Sequence, residues 1–182
     1  MNEVVTIFLT IIVISGVILL FYILTYNNLQ AHQIKINEAE SLIDELLRKK
    51  YDLLVSLKSI ITENTDVNNK SFSNLKNLQS QSISSFDFER KLTELNNLTD
   101  QIRLDYKSLE SNDTFNNTYE DIYNLNERLE ATKNFYNRYT SLLNNIIKKF
   151  PSNVIAKIHH MTPKTYFDGK DLFDENKEDF KI

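Results

Sequence analysis

Residues 4–24 read VVTIFLTIIVISGVILLFYIL, twenty-one positions without a charge, interrupted before Tyr22 only by Thr6, Thr10, Ser15 and Gly16. As an α-helix rising about 1.5 Å per residue, the run covers roughly 30 Å, the thickness of a bilayer's hydrocarbon core. A helix at the edge of a soluble core would alternate apolar and polar faces, and this stretch lacks that rhythm. A cleaved signal peptide needs a basic start, a shorter apolar core and a small-x-small cleavage site. Here Met1, Asn2 and Glu3 supply an acid and no base, and Tyr26, Asn27 and Asn28 follow where small residues would be required. The run therefore reads as a retained anchor within residues 1–28. Residues 4–26 lie in the lipid bilayer, with Tyr22 and Tyr26 at its interface. No Lys or Arg precedes the run, whereas Lys35, Arg48, Lys49 and Lys50 follow it. The positive-inside rule then places the N-terminus outside and the body in the cytoplasm.

Beyond the anchor the pattern becomes periodic. Ile36, Ala39, Ile43, Leu46, Leu53, Leu57 and Ile60 recur at three- and four-residue intervals, with Lys50 filling one slot. Leu42, Leu47, Leu54 and Ile61 widen this stripe enough to pack against two partners. No helix breaker separates the stripe from the anchor, so one helix is expected to run from the membrane to about Asn64. A weaker helix around Leu75, Leu78 and Ile83 precedes the Ser-rich stretch 80–85. Phe88, Leu92, Leu95, Leu98, Ile102, Tyr106 and Leu109 form the next stripe, with Ser85 or Asp87 as its N-cap. The last helix is the most regular. Asn112 caps it, Phe115, Tyr119, Ile122, Leu125, Leu129, Thr132, Tyr136, Tyr139, Leu143, Ile146 and Phe150 line one face, and Pro151 stops it.

Two glycines and two prolines in 182 residues disfavour sheets with tight turns. The fold class is all-α: the anchor helix continues into an antiparallel bundle of three to four long helices over residues 29–162. Broad stripes, rather than narrow seams, favour a bundle closed within one chain, with homo-oligomerisation as the alternative. The absence of cysteine excludes disulfides, thiolate catalysis and cysteine metal sites, and a net charge of −4 gives no bulk attraction to nucleic acid.

Several motifs in order resemble the LemA family of bacterial membrane proteins. They are Tyr26-Asn27-Asn28-Leu29 after the anchor, Glu38-Ala39 through Ile43-Asp44, and Leu47-Arg48-Lys49-Lys50-Tyr51-Asp52-Leu53-Leu54. Asn126-Glu127-Arg128-Leu129, Phe135-Tyr136-Asn137, Phe150-Pro151-Ser152-Asn153-Val154-Ile155-Ala156 and Tyr166-Phe167 complete the pattern. The chain departs from it at Val55-Ser56, where Pro-Asn is common, at Leu143-Asn144, where a second Tyr-Asn pair is common, and between Asn68 and Phe86. The resemblance implies an N-terminal transmembrane helix and a helical bundle, and no established enzymatic activity.

The candidate site is a polar set on the first and last helices: Asp44, Lys50, Tyr51, Asp52, Arg128 and Asn137. If those helices are neighbours, these residues form a salt-bridge and hydrogen-bond network that fixes register, or else line a ligand or peptide groove. No catalytic residues and no cofactor are expected, so the chain does not read as an enzyme. Adjacent His159 and His160 point about 100° apart on a helix and do not make a metal site. Residues 163–182 form an acidic tail, expected to be disordered, or to dock through Tyr166, Phe167, Phe173 and Phe180. The function these features imply is a membrane-anchored interaction or scaffold protein, partnered with another membrane or envelope protein. A membrane-tethered sensor that binds a small ligand or peptide between its helices is the alternative.

Overall fold

The computed structural model describes residues 3–68, 72–78 and 83–167, and among these all regular structure is helical. Five α-helices follow in order: α1 (Glu3–Asn64), α2 (Ser73–Leu78), α3 (Ser85–Asp105), α4 (Asp113–Lys148) and α5 (Ser152–Ile158). A 3-10 turn over Lys107–Ser111 joins α3 to α4. The tail expected to be disordered lies outside the described residues from 168 onward, as do 80–82 of the Ser-rich stretch.

Helix α1 is unbroken over 62 residues, or about 90 Å. Large side chains from Val4 to Phe21 are exposed, and a side chain placed at Gly16 would meet nothing within 4 Å beyond its own turn of helix. The segment is long and apolar enough to cross a membrane, which is compatible with single-pass anchoring. Burial then begins with Thr25 and Leu29. From there Leu29, Ile36, Ile43, Lys50 and Leu57 are all buried at strict seven-residue spacing. Helix α4 does the same with Phe115, Ile122, Leu129, Tyr136 and Leu143.

The flanking positions of each heptad slip. Ala39 and Leu46 give way to Leu47, Leu54 and Ile61 on α1, and Leu125 gives way to Thr140 and Ile147 on α4. A straight α-helix drifts about 20° per heptad, which explains the slip. Phe150, expected in the core, falls in the turn beyond the end of α4 and is 82% exposed. Each fully buried aliphatic contributes about 1.5–3 kcal/mol.

The chain divides into two compact units. Among described residues the first comprises 3–38 and 136–166, and the second 39–135 with Phe167. In the second unit, Asp44 meets Ser85 and Asp66 meets Tyr106, so α3 runs in the same direction as α1. Glu89 meets Lys133 and Asp100 meets Tyr119, so α4 runs against both. Between α1 and α3, α2 buries Leu75 and Leu78. Helix α3 is capped by Ser84, whose hydroxyl accepts from Asp87 N–H, one residue earlier than the sequence suggests; Ser85 is used elsewhere. Asn112 caps α4 as expected, its side chain accepting from Phe115 N–H at 3.0 Å.

In the first unit, Pro151 starts a helix as well as ending one. A proline at a helix start loses no hydrogen bond, because its N–H would have no partner there. Helix α5 buries Ile155 and Ala156 and closes with His160 N–H donating to Lys157 O and Met161 N–H to Ala156 O. This is the Schellman arrangement, with His160 at φ 52° where glycine is usual.

Candidate functional site

Helix α1 presents Asp44, Leu47, Arg48, Tyr51 and Asp52 at the three- and four-residue spacing that puts side chains on one face. Leu78, Ile83 and the first turn of α3, through Ser85 and Phe88, complete the walls of a cavity of about 470 Å³. Ser85 Oγ donates to Asp44 Oδ1, fixing the carboxylate toward α3. The Tyr51 and Phe88 rings lie 6.2 Å apart. Leu47 and Leu78 are buried and form an apolar floor, while Asp44, Arg48 and Asp52 supply charge at the rim. Such a site holds a ligand that carries both apolar surface and a polar or charged group.

Asp52 also borders a recess of about 390 Å³ shared by α1 and α4, lined by Lys49, Leu53, Asp121, Asn124, Leu125 and Arg128. Asp52 and Arg128 thus share a recess, as the expectation of neighbouring first and last helices requires. Among the described residues they do not form an ion pair within 4 Å.

The structure places the six polar residues in different surroundings. Asp44, Tyr51 and Asp52 line the cavity, and Arg128 stands exposed at the recess. Lys50 points into the interior of the second unit and is 3% exposed. Asn137 belongs to the first unit. The ionic cluster that does form uses residues the sequence reading passed over. Lys133 Nζ bridges Glu89, at 3.0 Å, and Glu130. Burial pulls the Lys133 ammonium down, but hydrogen bonds to Glu130 and Glu89 outweigh it and raise its pKa above the usual lysine value. Lys50 is the opposite case. Burial lowers its pKa, and the attraction of Glu89 and Glu130 only partly compensates.

Arg48 could have been found from its four-residue spacing to Asp44. Ser85, Phe88 and Glu89 could not, because nothing local says which end of α1 the next long helix returns to. At the far end of the described chain, the Phe167 ring meets Phe86 edge-on at 6.2 Å and lies 5.6 Å from Lys133 Nζ. Phe167 of the tail thus packs against α3 and α4 of its own chain.

Among the described residues no group of three His, Asp or Glu is placed to hold a metal ion. His159 instead shares a 2.7 Å hydrogen bond with the Tyr22 hydroxyl through Nε2, and its ring lies 4.4 Å from that of Tyr26.

No curated protein and no solved structure matches this chain. The LemA family model matches residues 39–181, which takes in the cavity, the ionic cluster and α5 and leaves the apolar run outside it. With most of its length matched in this way, the chain belongs to the LemA family.

Proposed function

We propose that this chain is a single-pass membrane-anchored binding protein whose helical bundle captures a segment of another membrane or envelope protein. The observation that carries this reading is the continuity of α1. One unbroken helix bears both the exposed apolar run and the five cavity residues from Asp44 to Asp52. A binding site built on an anchor helix meets partners confined to the same bilayer, which raises their effective concentration. The bundle is cytoplasmic and the N-terminus outside. The basic residues that follow the run support this orientation, as does the lack of any basic residue before it. The chain acts by binding, and turnover of any substrate by the purified protein would contradict this.

The test is a photo-crosslinking amino acid at Arg48, compared with one at Leu104, which is 76% exposed on α3 and outside the cavity. A discrete adduct from position 48 that disappears on Tyr51→Ala, with helicity unchanged, supports the proposal. Equal adducts from both positions would sink it.

The cavity volume favours one second reading. About 470 Å³ lies within the range of small-molecule pockets, roughly 300–1,000 Å³. A ligand held between α1 and α3 would bias a small shift of α1 that continues into the membrane. Thermal melting of the full chain in detergent against small-molecule panels separates the two readings. A reproducible upward shift that Tyr51→Ala removes favours sensing.

A further inference from the structure

Helix α5 is apolar on both faces. Ile155 and Ala156 face the core of the first unit, yet Val154 and Ile158 are 49% and 59% exposed, and Phe150 just before the helix is 82% exposed. Val154 and Ile158 stand four residues apart on the helix and so share one outward side, and Phe150 adds an exposed ring at the turn that leads into it. An outward apolar face on a seven-residue helix is poorly suited to water. The hydrogen bond from His159 to Tyr22 fixes the level at which this face sits, because Tyr22 belongs to the last turn of the apolar run. Burial of α1 begins at the same level, with Thr25. The outward face of α5 therefore lies within about one helical turn of where the run leaves the hydrocarbon.

Charge points the same way. Between Glu130 and Asp168 the chain has no acidic residue, although its net charge is −4. The same interval holds Lys133, Arg138, Lys148, Lys149, Lys157 and Lys164. Lys148, Lys149 and Lys157, which flank the apolar face, are exposed.

We infer that Phe150, Val154 and Ile158 enter the headgroup region of the bilayer as a second, shallow membrane contact, and that Lys149 and Lys157 pair with anionic lipid phosphates. A short amphipathic helix lying in the interface with lysines at its flanks combines apolar burial with attraction to an anionic surface. The inference rests on the reading that residues 4–24 cross the bilayer.

The chain contains no tryptophan, so Phe150→Trp gives a single-site probe in the full-length protein. The protein is reconstituted into vesicles of mixed phosphatidylcholine and phosphatidylglycerol, with lipids brominated near the top of the acyl chain. Tyr123→Trp, 59% exposed and about 40 Å back along α4, is the aqueous reference. The expected result is blue-shifted emission at position 150, quenched at least twofold more by brominated lipid than emission at position 123. That difference should shrink when Lys149 and Lys157 are both changed to Glu, or when phosphatidylglycerol is left out. Equal quenching at the two positions overturns the inference, and so does quenching at 150 that ignores both charge changes. If Phe150→Trp fails to fold, Ile158→Trp carries the same test. Flotation with the vesicles keeps the two failures apart: a chain that does not float has lost the anchor, whereas one that floats with an unquenched tryptophan has lost only the contact at α5.

Discussion

The two units fill their interiors differently, although the same two helices run through both. In the first, the buried polar groups are neutral: Thr25, Thr140 and Asn144. Asn144 grips the returning chain at both ends of one residue, its Nδ2 donating to Lys164 O and its Oδ1 accepting from Lys164 N–H, each at 2.8 Å. Tyr136 adds a 3.2 Å bond to Thr165 O. In the second unit one of the heptad positions equivalent to Leu29 and Ile36 is Lys50, and a part-buried Lys133–Glu89 pair lies beside it. One interior is pinned by amides that do not titrate, the other by charges that do. Neutral hydrogen bonds, unlike ionic pairs, are not weakened by salt.

The largest expected break in this comparison is Asn144→Ala. It leaves both backbone groups of Lys164 without their partner and should cost about 2–4 kcal/mol. The loss should register as faster amide exchange in the first unit alone, since openings are local. Lys133→Met comes next. It strands Glu89, whose side chain is 16% exposed, and should cost about 1–3 kcal/mol in the second unit, read by denaturant titration of the full chain.

Lys50→Met should have the opposite sign and stabilise by about 1–2 kcal/mol, because it removes a buried charge that makes no ion pair within 4 Å among the described residues. The sign of its pH dependence follows from the lowered folded-state pKa. Between that value and the unfolded value near 10.5 only the unfolded chain binds the proton, so wild-type stability gains from Lys50 as pH rises. The advantage of Lys50→Met should therefore be full at neutral pH and fade toward pH 10.5. Lys133, with its raised pKa, behaves inversely: its stabilisation is full below about 10.5 and is lost above it. Measuring both variants against pH separates the two lysines. The smallest effect belongs to His160→Gly, which relieves a positive φ and should add about 0.5–1 kcal/mol to the first unit.

Much of the fold was legible because helices repeat. The apolar run, the continuity of α1 to Asn64, the Asn112 cap and the extent of α4 all follow from local pattern. What escaped was long-range. Pro151 reads as a stop, and only the packing of Ile155 and Ala156 makes it a start as well. The direction of α3 relative to α1 depends on a connection whose sequence shows little periodicity. Half of the candidate site was legible for the same reason: Asp44, Tyr51 and Asp52 share a face of one helix, whereas Ser85 and Phe88 reach them from another. Lys50 was grouped with them by charge, which does not encode that its side chain is buried in the interior.

Protease protection of a C-terminal epitope tag, in spheroplasts of an expressing bacterial host, tests the anchored, inward-facing bundle most directly. The account predicts that external protease leaves the tag intact until the membrane is permeabilised. Removal of the tag from sealed spheroplasts would contradict it and place the cavity on the outer side of the membrane.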